Sequence, residues 1–137
     1  SLFKFLNRLQ DVRERADWLM EQVALTGRRD VLAGLLTYAE QRALEIAMTV
    51  AGDPAVVLLD EPTAGMSRSE SEQAIGLIRR LTQGRTLLMV EHDMSVVFGL
   101  ADRIAVLAGG ALIALQRPED IRSNSAVKEA YLGDQHA

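Results

Sequence analysis

From Phe5 to Leu25 the apolar residues Leu6, Leu9, Val12, Ala16, Leu19, Met20 and Val23 recur at three- and four-residue steps, the spacing that gathers side chains on one face of a helix. An amphipathic helix is predicted there. Thr26-Gly27 and the charged Arg28, Arg29 and Asp30 interrupt the pattern. A second helix is predicted from about Tyr38, because Thr37 and Glu40 stand at capping-box spacing, with Ala43, Leu44, Ile46, Ala47 and Val50 as its inner stripe. Gly52-Asp53-Pro54 ends it, since proline cannot continue a helix and restricts the residue before it.

Periodicity then changes. Ala55 to Leu59 is a short unbroken apolar run, the signature of a strand buried on both faces, and Thr86 to Val90 reads as a second such strand. Between them lies a polar loop and a helix from about Ser69 to Leu81, whose inner stripe is Ala74, Ile75, Leu77, Ile78 and Leu81 and which Gln83-Gly84 closes. A short helix from Met94 to Ala101 follows. Strand, helix and strand in alternation argue for a parallel sheet. Ile104 to Leu107 and Ala111 to Leu115 flank Gly109-Gly110, a pair able to take the positive backbone angles of a hairpin turn, so those strands should be antiparallel. Two short helices, Pro118 to Arg122 and Ser125 to Tyr131, and a polar tail from Gly133 to Ala137 complete the expected α/β order.

A chain of 137 residues with 48% hydrophobic and 25% charged residues can form a packed core under a solvated surface. The formal charge of −4 and the scattered arginines offer nothing to a phosphate backbone, so no nucleic-acid partner is expected. Without cysteine there is neither a disulfide framework nor a thiolate metal site, which favours a reducing compartment such as the cytosol. The apolar runs are far shorter than the roughly 20 residues of a membrane span. The first fifteen residues are too charged for a secretory leader, and a start at Ser1 rather than methionine leads to the expectation of a fragment.

In open parallel sheets, ligands bind beyond the carboxyl ends of the strands. Asp60-Glu61 and Glu91-His92-Asp93 stand at those ends. One carboxylate there can hold magnesium while its neighbour accepts a proton from an attacking water, and a histidine can donate a hydrogen bond to a transferred phosphate. Taken singly, Asp60-Glu61-Pro62 would equally suit a solvated strand exit, Thr37 and Glu40 a helix cap, and His92 a surface position.

Together the motifs are more specific. Val56-Val57-Leu58-Leu59-Asp60-Glu61-Pro62 resembles the Walker B segment of ATP-binding cassette (ABC) ATPases, and Leu36-Thr37-Tyr38-Ala39-Glu40-Gln41-Arg42 resembles their signature motif in the form found in branched-chain amino acid importer subunits. Ala64-Gly65-Met66-Ser67 falls where the D-loop lies, and Val90-Glu91-His92-Asp93-Met94 resembles the switch-histidine segment. Ala130-Tyr131-Leu132-Gly133 is similar to the end of amino-acid importer subunits, which suggests a natural C-terminus.

The resemblance implies a partial RecA-like P-loop NTPase fold, with residues 1–50 belonging to the helical signature subdomain and 51–137 to the C-terminal part of the catalytic subdomain. It implies that Asp60 serves Mg2+, that Glu61 polarises the hydrolytic water and that His92 contacts the transferred phosphate. It further implies that Thr37, Tyr38, Ala39, Glu40 and Gln41 present a helix N-terminus to ATP on a second ATPase subunit, with Ala64, Gly65, Met66 and Ser67 at the same interface. Transmembrane permease subunits would be separate chains, coupled through helices such as Phe5 to Leu25, and the protein would sit on the cytoplasmic face of the plasma membrane.

Two positions depart from the family pattern. Glycine is usual where Ala39 stands, and the added methyl group weakens the expected contact with phosphate; aspartate is common where Ser67 stands. No G-x-x-x-x-G-K-[ST] phosphate loop occurs in these residues, whose only lysines are Lys4 and Lys128, nor do the Q-loop glutamine and the adenine-stacking aromatic. The expectation is a fragment of an importer ATPase that is inactive alone and whose uncovered apolar surface promotes self-association. The alternative is a naturally truncated, non-catalytic subunit that caps a complete partner.

Overall fold

The helices that start at Tyr38, Arg68 and Met94 each begin where a capping side chain takes over an unpaired backbone N–H, and the strands Val56–Asp60 and Thr86–Val90 both lead to polar residues. A computed structural model describes residues 2–133, and the tail expected at 134–137 lies outside the described residues. The elements run α1 (Leu2–Gln22), two 3-10 turns (Thr26–Arg28 and Ala33–Leu35), α2 (Tyr38–Val50), β1 (Val56–Asp60), α3 (Arg68–Leu81), β2 (Thr86–Val90), α4 (Met94–Leu100), β3 (Ile104–Ala108), β4 (Ala111–Gln116), α5 (Pro118–Ser123) and α6 (Ser125–Gly133). The chain divides into one unit up to Glu91 and another from His92.

In the first unit the capping box expected at α2 is present: the Glu40 N–H donates to Thr37 Oγ1 at 3.3 Å, and the Thr37 N–H donates to Glu40 Oε2 at 2.8 Å. The same device opens α3, where Ser67 and Glu70 exchange bonds of 3.3 and 2.8 Å. β1 and β2 are parallel, with Val57 opposite Leu87, Leu58 opposite Leu88 and Asp60 opposite Val90. Buried residues of this unit come from the end of α1 (Leu19), from α2 (Ile46, Ala47, Val50), from α3 (Ala74, Leu77, Ile78, Leu81) and from one face of β1 (Val57, Leu59). Each of the buried Leu, Ile and Val side chains contributes about 1.5–3 kcal/mol by leaving water.

One expectation about burial fails. β1 is buried on alternate residues only: Val56 and Leu58 are 54% and 67% exposed, and across the register Leu88 and Val90 are 62% and 61% exposed. An unbroken apolar run reports that both faces shun water, not that both have found cover. In α1, Leu6, Leu9 and Val12 are exposed, and burial begins only near Leu19. Periodicity gathers these residues on one face but supplies no surface for it to pack against.

The second unit is built around Ile104, Ile121 and Val127, with Val97, Phe98, Ala101, Val106, Ile113 and Ala114 packed against them. β3 and β4 form the expected antiparallel hairpin, with a register shift at Val106/Leu107 and with Gly109 and Gly110 at φ 55° and 78° in its turn. Asn124 ties the hairpin to α6, donating to Gln116 Oε1 at 2.9 Å and accepting from the Val127 N–H at 3.2 Å. Gly133, expected in the tail, belongs to α6. No helix among the described residues is long and apolar enough to cross a membrane.

Candidate functional site

Parallel pairing brings Asp60 to the tip of β1 level with Val90 at the tip of β2. Asp60 shares the exposed face of β1 with Val56 and Leu58, as alternation along a strand requires. At Glu61 the chain turns. Its N–H still donates to the Val90 carbonyl at 2.8 Å, extending the ladder by one bond, while its own φ of 43° lies in the left-handed region. A non-glycine residue held there costs roughly 1–2 kcal/mol, so the surrounding loop must over-determine it.

It does so from several directions. The Thr63 amide and hydroxyl both donate to Glu91 Oε1, at 3.2 and 2.6 Å, which fastens the loop after β1 to the residue after β2. Thr63 and Pro62 are buried. The Ala64 N–H donates to the Glu61 carbonyl and the Met66 N–H to the Thr63 carbonyl, both at 3.1 Å, and Gly65 between them takes φ 76°. From α2, the Tyr38 hydroxyl donates to the Ala64 carbonyl at 2.7 Å, and Arg42 Nη2 donates to the Glu61 carbonyl at 3.0 Å. Ala39 and Met66 line one groove beside α3. The signature-like helix start and the loop bearing the carboxylates are therefore neighbours in the fold.

At the start of α2 the polar side chains are already committed. Gln41 donates to the Ala33 and Leu36 carbonyls, both at 3.2 Å, and so fixes the turn that leads into the helix. Glu40 is bound by the Thr37 amide and by Arg28 Nε at 3.1 Å, and those contacts, the Thr37 backbone first, hold its carboxyl below the usual range. The Tyr38 and Ala39 amides belong to the first turn and have no acceptor within the helix, leaving a partial positive charge for an anion.

Ser67, in the D-loop-like segment, is the N-cap of α3. Hydrogen bonds from Ser67, its side chain first and then its backbone, hold the Glu70 carboxyl low. His92 is exposed and opens the second unit directly after Glu91. Asp93 caps α4, accepting from the Ser95 amide and hydroxyl at 2.8 and 2.6 Å, and its carboxyl is held low chiefly by that hydroxyl.

Sequence reasoning missed the fastening roles of Arg42, Thr63 and Glu91. These bonds join residues far apart in the chain and leave no local signal. Sequence reasoning also missed the Ser67–Glu70 box, although Ser-x-x-Glu has the same spacing as Thr-x-x-Glu at α2 and could have revealed it.

Among the described residues no three His, Cys, Asp or Glu side chains cluster as a metal cage. A single exposed aspartate at a strand tip instead suits magnesium that arrives with phosphate and keeps most of its waters. The arrangement can therefore take part in metal-assisted phosphoryl transfer if the phosphates are held by another segment.

Known proteins resemble this chain in sequence and fold. Residues 2–64 match the family model described as ABC transporter, and residues 117–137 match that described as branched-chain amino acid ATP-binding cassette transporter. The high-affinity branched-chain amino acid transport ATP-binding protein BraF of Pseudomonas aeruginosa is 42% identical over 98% of this chain and 54% of its own length. LivG of Escherichia coli, with the same description, is 37% identical over 95% of this chain and 52% of its own length. A crystal structure of an ATP-binding cassette of an ABC transporter in its ADP conformation superposes with a TM-score of 0.78 at 26% identity, over 90% of this chain and 50% of that one. The chain spans about half the length of the curated relatives it matches.

Proposed function

Because the chain belongs to the ABC transporter ATP-binding family, we propose that it carries the water-activating half of an ATP-hydrolysing site in a subunit that powers import of branched-chain amino acids. The observation that carries this reading is the Asp60-Glu61 pair at the tip of a parallel strand, held by Val90, Arg42 and the Thr63–Glu91 bonds. The family model matched by residues 117–137 and the names of BraF and LivG support the solute class.

In this reading Glu61 accepts the proton of the attacking water, and its left-handed backbone directs it away from the course of the strand. Asp60 would hold the magnesium of the bound nucleotide, which supplies neutralisation of charge developing on the phosphate oxygens. The amides of Tyr38 and Ala39 present their partial positive charge to the γ-phosphate of ATP bound on a second ATPase subunit. Thr37, Glu40 and Gln41 shape that helix start, and Ala64, Gly65, Met66 and Ser67 form the adjoining part of the interface. His92 donates a hydrogen bond to the transferred phosphate.

Residues 1–50 form part of the signature subdomain and 51–137 part of the catalytic one. Permease subunits supply the membrane path, so the assembly sits on the cytoplasmic face of the plasma membrane. The phosphate-binding loop comes from outside these residues, and the isolated chain neither hydrolyses ATP nor binds it tightly.

In the complete subunit, Glu61→Gln is expected to lower ATP turnover roughly a hundredfold or more, the scale of a lost general base, while nucleotide binding persists. Unchanged turnover in that variant would remove Glu61 from the chemistry. Calorimetric titration of the isolated chain with magnesium-ATP is expected to show no micromolar binding.

A further inference from the structure

Tyr38 and Arg42 stand four residues apart on α2 and therefore on one face of it. Both reach the same short segment. The Tyr38 hydroxyl meets the Ala64 carbonyl at 2.7 Å, and Arg42 Nη2 meets the Glu61 carbonyl at 3.0 Å. The Tyr38 ring also lies beneath Gly65, where an added Cβ would meet its Cε1, Oη and Cζ at 3.5–3.7 Å. The segment so held has left-handed backbone near each end, at Glu61 (φ 43°) and Gly65 (φ 76°).

Neither contact is explained by local stability. Tyr38 is half exposed, so water could serve its hydroxyl as well as Ala64 does. Arg42 pairs with Glu45 through Nη1 at 2.7 Å, yet its Nε is buried without a partner, an unfavourable arrangement that persists while the guanidinium stays on the Glu61 carbonyl.

We infer that Tyr38 and Arg42 are positioning residues that latch the start of α2 to the 61–65 loop, so that the two move as one body. The inference rests on the ATPase reading above. The start of α2 faces the nucleotide of the opposing subunit, whereas Glu61 acts on the nucleotide of its own, so the latch makes the geometry of one site depend on occupancy of the other. Neither side chain touches the reacting atoms. Their bonds to backbone carbonyls fix where the Glu61 carboxylate stands.

The test uses the complete subunit with its permease partners. Tyr38→Phe keeps the ring on Gly65 and removes only the hydroxyl; Arg42→Lys keeps the charge but not the fork that reaches Glu61 and Glu45 together. Each variant is expected to lower kcat about fivefold, the factor carried by one net hydrogen bond, with KM for ATP unchanged. Hydrogen exchange of the Ala64 and Met66 amides should quicken by a similar factor, while that of α3 around Ile78 stays as in the wild type.

A wild-type subunit that hydrolyses ATP, with Tyr38→Phe equal to it in both kcat and loop exchange, overturns the latch alone. A wild-type assembly that hydrolyses no ATP overturns the site reading and the latch with it. A loss of α3 protection as large as that of the loop marks general destabilisation and also overturns the latch.

Discussion

Ser67 ends the loop that carries Glu61 and caps α3, its hydroxyl accepting from the Glu70 N–H at 3.3 Å. Ser67→Ala is expected to cost about 1 kcal/mol in chemical denaturation, the usual loss of an N-cap, and to leave α2 unaffected. The two capping carboxylates make this region sensitive to acid. Glu40 and Glu70 have pKa values lowered in the folded chain by hydrogen bonds that an unfolded chain lacks. Their stabilisation is present above the unfolded-state pKa and is lost as pH falls through the lowered folded value. Amide protection at the starts of α2 and α3 should therefore decline as pH drops through and below the normal carboxylate range, and Glu40→Gln with Glu70→Gln should flatten that decline. Both groups keep partial contact with solvent, so added salt should reduce the effect.

At the scale of elements, α3 depends on its inner stripe. Ile78 is fully buried at the centre of that stripe, and Ile78→Ala should lower stability by about 3 kcal/mol through lost transfer energy and an unfilled cavity. A conservative Ile78→Val should cost about 1 kcal/mol by the same measurement. The β3–β4 hairpin depends on backbone freedom rather than volume: Gly110 has φ 78° and open space where a Cβ would stand. Gly110→Ala should destabilise the second unit by about 1 kcal/mol through strain alone. That the cost arises without any clash is what separates it from a packing defect.

For the whole molecule, the exposed face of β1 and β2 dominates. Val56, Leu58, Leu88 and Val90 lie together in register, and soluble monomers rarely leave such contiguous apolar surface bare. A second copy of the chain offers the same apolar face as cover. Sedimentation velocity should show mass increasing with concentration, and Leu58→Glu with Leu88→Glu should shift the chain toward monomer. A wild-type chain that stays monomeric at high concentration would contradict this.

Sequence alone determined the order and type of the elements, because the signals are local. Thr37 and Glu40 cap α2 through contacts three residues apart, Gly109-Gly110 turns a hairpin, and Asp60-Glu61 follows a strand-forming run. Tertiary structure alone decided which strand face is covered and what holds the loop. Tyr38 meets Ala64 across 26 residues and Thr63 meets Glu91 across 28, separations at which no periodicity survives. Hydrophobic pattern states what a face avoids; only the folded chain provides the atoms that meet it.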